Sequence, residues 1–241
     1  MSNIAVKEKE ETLMEEESVV ATTEVVEKVE EDFKPKFKIY YIFKRLVDIV
    51  ASLLGLIILS PVFLAVALLI RRDGGKAFFV QARIGKNGKT IRVYKFRSMV
   101  MNGEEVLEEL LASDENIRNE YLTNKKLEND PRITKVGKFI RKTSIDELPQ
   151  LINVLKGDMS LVGPRPYLWR EKEEGMGDYY KYVISCKPGI TGYWQVNGRS
   201  DTSFEERLEM DKYYSKHVNA WMDIKILFKT IGVVLFGKGA K

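Results

Sequence analysis

The chain has 241 residues, a formal net charge of +4, one histidine and one cysteine. That length suits one or two domains with a substantial core. Lone His217 and lone Cys186 rule out a His-rich metal site and an internal disulfide framework, so any metal would be a hard cation held by oxygen.

The charge is unevenly spread. Residues 1–32 hold three lysines against eleven acids, a local charge of −8, which leaves +12 for residues 33–241. The tail, "EKEETLMEEESVVATTEVVEKVEED", lacks glycine and proline; disorder or a frayed helix is expected there. The basic body points to a polyanionic partner: nucleic acid, anionic lipid or a phosphorylated substrate. No N-terminal secretory signal is expected, because the apolar run begins too far along the chain.

That run, residues 49–70, "IVASLLGLIILSPVFLAVALLI", is 22 residues without a charge. A helix needs roughly 20 residues to cross a bilayer, but Ser60-Pro61 sits at the centre. Pro61 lacks an N–H and clashes with the preceding turn, and a carbonyl freed in lipid needs a local partner, which the Ser60 hydroxyl can supply. Lys44 and Arg45 precede the run and Arg71 and Arg72 follow it. Lys/Arg excess marks cytoplasmic ends, and excess at both ends suits a re-entrant hairpin; a kinked full span satisfies the pattern equally. Either is a membrane anchor.

Beyond it, Phe78–Ile84 and Thr90–Phe96 read as a β-hairpin around the Asn-Gly of "KNGK". Residues 103–127 predict an exposed helix, and "DPRITKVGKFIRKTS" a basic, partly helical stretch. A helix is expected from Ser144–Asp146 to about Lys156, because Pro149 is tolerated in a first turn. "GDMSLVGPRPYL" and "KPGITGYWQVNGRSD" read as loops, and residues 168–182 and 203–236 as helices. The last of these ends in an apolar stretch suited to the core or to a membrane surface. No GxGxxG or GxxxxGK[ST] occurs, so Rossmann or P-loop nucleotide binding has no support.

The stretch "SIDELPQL" places Asp146 beside Glu147, after the basic "KFIRK". Two readings fit. In one, the acids cap a helix, Ser144 and Glu147 forming a capping box. In the other, Asp146 at a positive helix terminus near Arg141 and Lys142 has a depressed pKa and serves as a nucleophile toward phosphorus. Glu147 then helps hold Mg²⁺, and arginines such as Arg141, Arg165 and Arg199 clamp phosphate oxygens.

"KRLVDIVASLLGLIILSPV", "QARIGKNGKTIRVYKFRSM", "RKTSIDELPQLINVLKGDMSLVGPRPY" and "KPGITGYWQVNGRSD" resemble, in order, the motifs of the bacterial sugar transferases, the monotopic polyprenyl-phosphate phosphoglycosyl transferases. The resemblance runs from about Lys44 to Ile231. It implies an α+β fold: a re-entrant membrane helix hairpin (33–75, after the tail 1–32) and a small, mostly helical cytoplasmic catalytic domain with a β-hairpin (76–241). It implies transfer of sugar-1-phosphate from a UDP-sugar to undecaprenyl phosphate at the inner face of the bacterial cytoplasmic membrane, releasing UMP, with no nucleic-acid partner. Such a step starts a surface glycan, whether exopolysaccharide or capsule. Asp146 matches the nucleophile that becomes a covalent phosphosugar ester, and Glu147 its Mg²⁺-binding partner. Arg141 matches a phosphate-contacting arginine and Lys95 an active-site position. Arg165, within Pro164-Arg165-Pro166, matches a nucleotide-side arginine. Ser60-Pro61 matches the re-entrant break, with Lys44 and Arg45 at the lipid headgroups. Gly189, Gly192, Gln195 and Arg199 are expected to shape the substrate loop. Trp194 within "YWQVNGR" leans towards galactose or glucose as the sugar. A homodimer and downstream glycosyltransferases are further partners the resemblance admits. Relatives with extra N-terminal membrane helices make this chain similar to their catalytic core alone. A membrane-anchored binding module and a regulatory pseudoenzyme are the competing readings.

Overall fold

The apolar run is divided where Pro61 predicts. In a computed structural model describing residues 38–124, 127, 129–198 and 202–236, helix α1 (Lys38–Ile58) and helix α2 (Ser60–Arg71) meet at Leu59 with a bend of 60°. Proline at position 61 withholds the N–H that would bond the Ile57 carbonyl, and the Ser60 hydroxyl donates to that carbonyl instead, at 2.8 Å. The expected hairpin thus takes the form of a bent pair rather than two antiparallel arms. No single helix is long and apolar enough to cross a membrane among the described residues, though the bent pair together has the length and composition to do so. The acidic tail lies outside the described residues.

Strands β1 (Phe78–Ile84) and β2 (Thr90–Phe96) pair antiparallel in the expected register, Phe78 opposite Phe96 and Ile84 opposite Thr90. Asn87 and Gly88 take positive φ at the turn, the geometry for which Asn-Gly is suited. Helices α3 (Gly103–Ser113) and α4 (Glu115–Asn124) replace the single helix expected there, with Asp114 between them in extended conformation. Its carboxylate accepts from the backbone N–H groups of Asn116 and Ile117, so the residue caps a new helix rather than continuing the old one.

Helix α5 (Lys135–Lys142) is capped by Thr134, and α6 (Gln150–Lys156) follows a short 3-10 turn over Ile145–Glu147. Strand β3 (Ser160–Val162) pairs in parallel with β4 (Gly189–Thr191). This second sheet, read as two loops in the sequence, is closed by Gly163 and Gly189, whose backbones approach so closely that a Cβ on either would enter the other. Between these strands run α7 (Trp169–Gly175) and α8 (Tyr180–Ser185), separated by a 3-10 turn where one helix was expected. Helix α9 (Tyr193–Asn197) leads to α10 (Phe204–His217) and α11 (Ala220–Phe236), two helices in place of one.

One polar face of α1 locks the bent apolar pair to this domain. Tyr40 and Lys44 both donate to Asp223 of α11, at 2.6 and 2.5 Å, and Lys44 also donates to the Val162 carbonyl. Asp48 accepts from the Leu161 N–H at 2.9 Å. Arg45 donates to the Val154 and Leu155 carbonyls at the end of α6, groups with no partner inside that helix. Lys44 and Arg45, expected at lipid headgroups, are therefore turned inward, because acceptors of the domain claim them. At the other end of the bent pair, Val66 and Ile70 of α2 pack with Phe96 and Ile140. Arg97 there donates to the Ile70, Lys76 and Met99 carbonyls and pairs with Asp73.

Candidate active site

Lys95, Glu147 and Arg165, all singled out from sequence, meet where β2, the 3-10 turn and the loop after β3 converge. Asn153 of α6, wholly buried, donates to the Arg92 carbonyl and accepts from the Tyr94 N–H. Its amide thus acts as a strand edge and fixes α6, with the turn before it, against β2. That seating brings Lys95 Nζ to 2.7 Å from Glu147 Oε1.

The capping-box expectation is corrected here. Ser144 is left-handed (φ 57°) and its side chain caps nothing; Glu147 turns to Lys95; and α6 begins only at Gln150, with Pro149 preceding it. Asp146 therefore stands in a tight turn rather than at a helix terminus. Its expected depressed pKa is corrected too. Burial (9% exposed) pushes Asp146 up, the Glu147 charge adds to this, and together they outweigh Lys95 and Arg141, so the carboxyl rises to about 6. Glu147 goes the other way: burial raises it, but Lys95, Arg165 and Arg83 prevail and hold it below the ordinary carboxylate range. Adjacent acids are thereby separated, Glu147 held below and Asp146 raised above the ordinary carboxylate range.

A cavity of about 130 Å³ opens beside the pair, lined in part by Arg83, Lys95, Glu147, Arg165, Pro166 and Trp194. Arg83 donates to the Pro166 carbonyl at 3.1 Å, and burial with the nearby Arg165 charge lowers it to about 10, still cationic at neutral pH. The Arg165 backbone N–H is held by Asp211 Oδ2 at 3.1 Å, which also accepts from Tyr167 at 2.8 Å. The guanidinium of Arg165 lies 5.7 Å from the Trp194 ring centre. The Pro164 carbonyl is taken by the Gly189 N–H, so this proline shapes the loop, whereas Pro166 lines the cavity. Gly189 and Gln195 line it as well, and Gly192 packs against the Gly163 carbonyl. Arg141 stands on the Asp146 side, its Nε donating to Ser98 Oγ at 2.8 Å. Arg199 lies outside the described residues.

Arg83 and Asp211 were missed from sequence. Arg83 had a signal: in the register that the Asn-Gly turn sets, it pairs with Ile91, four residues from Lys95 on the same face of β2. Asp211 had none, since only the tertiary fold brings α10 under the Arg165 loop. A larger open groove of about 730 Å³ is lined by Tyr179, Tyr193, Tyr213 and several glutamates, whose charge repels a diphosphate. A concentration of cations around two carboxylates, by contrast, suits chemistry at a polyphosphate.

The chain is 54% identical to the "Undecaprenyl-phosphate galactose phosphotransferase" of Salmonella typhimurium, across 82% of this chain and 41% of that protein. It is 42% identical to the "UDP-glucose:undecaprenyl-phosphate glucose-1-phosphate transferase" of Escherichia coli, across 79% and 39%. With the "Exopolysaccharide production protein ExoY" of Sinorhizobium fredii it shares 43% identity, across 83% and 88%. The chain spans about two fifths of the length of the first two relatives. The sequence model described as "Bacterial sugar transferase" matches residues 39–237. With most of its length matched and its motif residues gathered at one cationic site, the chain belongs to the bacterial sugar transferase family.

Proposed function

We propose that the protein transfers hexose-1-phosphate, galactose- or glucose-1-phosphate, from a UDP-sugar to undecaprenyl phosphate, the first membrane step of exopolysaccharide or capsule assembly. One observation carries the reading: Asp146 and Glu147 lie among Lys95, Arg83, Arg141 and Arg165, and the adjacent Ile145 packs on Val66 and Ile70 of the bent apolar pair. Two phosphorylated substrates, one of them a lipid, need both features.

In the proposed chemistry an Asp146 carboxylate oxygen attacks the phosphorus that bears the sugar. The bond from that phosphorus to the bridging oxygen breaks, and UMP leaves with the oxygen and its electron pair. Arg165 and Arg83 neutralise the departing charge, and Lys95 holds Glu147 so that it remains ionised beside the nucleophile. A phosphate oxygen of undecaprenyl phosphate then attacks the same phosphorus. This releases the Asp146 carboxylate and leaves sugar diphosphate-lipid. No proton need be moved in either step.

Among the described residues no three His, Cys, Asp or Glu side chains form a metal-binding group. Two carboxylates fit a Mg²⁺ ion that takes its other ligands from water and substrate phosphates, and Glu147 and Asp146 would hold it. When bound, Mg²⁺ supplies further neutralisation of the diphosphate. The reading places the domain on the cytoplasmic side of the bacterial inner membrane, where UDP-sugars are made. It leaves room for a homodimer and for handover to downstream glycosyltransferases.

The test is UMP release by the membrane-purified protein with Mg²⁺, undecaprenyl phosphate and a panel of UDP-sugars. Asp146→Asn should abolish release, and deletion of residues 1–32 should leave it nearly intact. With donor alone, mass spectrometry should find a sugar phosphate on Asp146; wild-type turnover by Asp146→Asn would refute the covalent route.

A further inference from the structure

Residues opposite one another in an antiparallel pair stand on the same face of the sheet. The β1 row Arg83, Gln81, Phe79 is therefore matched by Ile91, Val93, Lys95 on β2. Arg83, Val93 and Lys95 line the cavity, and Lys95 reaches Glu147. The row thus begins at the partly buried guanidinium of Arg83 and ends at Phe79, directly opposite the lysine that holds Glu147. Phe79 is 47% exposed. Its neighbour Phe78 points to the other face and stacks on Phe96 at 5.1 Å, part of the packing against α2.

The Phe79 end of the hairpin is also the end seated on the membrane segment. Phe96 packs on Val66 and Ile70, and Arg97 binds the Ile70 carbonyl and the Ala77 carbonyl just before β1. Leu64, Leu68 and Leu69 of α2 are themselves exposed. An exposed aromatic ring beside a cation, at the end of the hairpin whose other face packs on an apolar helix, is poor ground for a nucleotide. It complements a molecule with an anionic head and an apolar tail.

We propose that Phe79 is the subsite for the first isoprene units of the acceptor. The acceptor's phosphate would sit at Lys95 and its chain would cross the Phe79 ring towards the end of the hairpin that packs on α2. This rests on the reaction proposed above, in which the acceptor is a polyprenyl phosphate. Truncating a half-exposed phenylalanine that becomes covered on binding should weaken acceptor binding about five- to tenfold.

The experiment compares wild type, Phe79→Ala and Phe79→Leu in nanodiscs, with a donor on which the wild type turns over. Acceptors are undecaprenyl phosphate and the two-unit geranyl phosphate. Expected for Phe79→Ala is a rise of about five- to tenfold in KM for both acceptors, largely restored in Phe79→Leu. Donor KM and the single-turnover release of UMP with donor alone should match wild type. An unchanged acceptor KM overturns the proposal, as does an equal loss in the donor-only step. So does an outcome in which Phe79→Ala only weakens binding of the protein to acceptor-free phosphatidylglycerol vesicles, which would make the ring a bilayer contact. A wild type that makes no lipid product would sink the reaction itself, whereas turnover with an unaltered acceptor KM sinks only the Phe79 assignment.

Discussion

Asp146 should cost the folded protein stability at neutral pH, and Asp146→Asn should recover it. The side chain is buried in a turn beside Glu147, and its pKa rises from 3.8 to about 6. An acid whose pKa is higher in the folded state binds a proton on folding, so stability falls as pH rises from about 4 through 6. Above 6 the whole penalty applies, about 3 kcal/mol at about 1.4 kcal/mol per pKa unit. Asparagine has the same shape and no charge to lose. The gain from Asp146→Asn should therefore be small below pH 4, about 3 kcal/mol at pH 7.5 and about half that at pH 5. For a domain of this size that is about 3–6 °C in Tm at pH 5 and about 6–12 °C at pH 7.5. Differential scanning fluorimetry of both proteins in nanodiscs at the two pH values measures it. A variant no more stable than wild type, or more stable by the same amount at both pH values, would refute the claim that an ionised carboxylate is held here against its burial. Lost activity with gained stability would mark the carboxylate as kept for chemistry.

The pH dependence of the donor-only step follows from the same group. Its rate should climb with pH through about 6 as Asp146 ionises, and Lys95→Met should move that limb to higher pH, since Lys95 holds both carboxyls down; a profile flat from pH 5 to 8 would contradict this. Lys44→Met removes the cation from Asp223, which is buried against Tyr40 and Tyr214, and should lower stability by about 3 kcal/mol. Its check is a denaturation midpoint, with partial rescue by Asp223→Asn in the double variant. Pro61→Ala restores an N–H for the Ile57 carbonyl and should reduce the 60° bend. Accessibility labelling at both ends of residues 44–72 should then change from same-sided to opposite-sided in at least part of the population.

Local chemistry made much of the architecture legible. Asn-Gly set the hairpin turn between two strand-like stretches, and an uncharged run broken by proline set the bent helix pair and even the role of the Ser60 hydroxyl. Each depends on neighbours in sequence. Helices were read too long in three places, at Asp114, Gly175–Tyr179 and Val218–Asn219, where side-chain caps and glycine end what propensity alone would continue.

For the site, the sequence determined which residue types were present: two adjacent acids, an excess of cations and an apolar segment to carry them. Tertiary structure decided what those charges do. Burial sends Asp146 up where a helix terminus would have sent it down, and Lys95, 52 residues away in sequence, sends Glu147 down. Lys44 and Arg45 turn inward because backbone carbonyls of the domain and Asp223 accept from them there, and Asp211 meets Arg165 only because a parallel strand pair brings their segments together. Desolvation and Coulomb interactions depend on distance in space, and one-dimensional spacing reports that distance only within a helix turn or a hairpin.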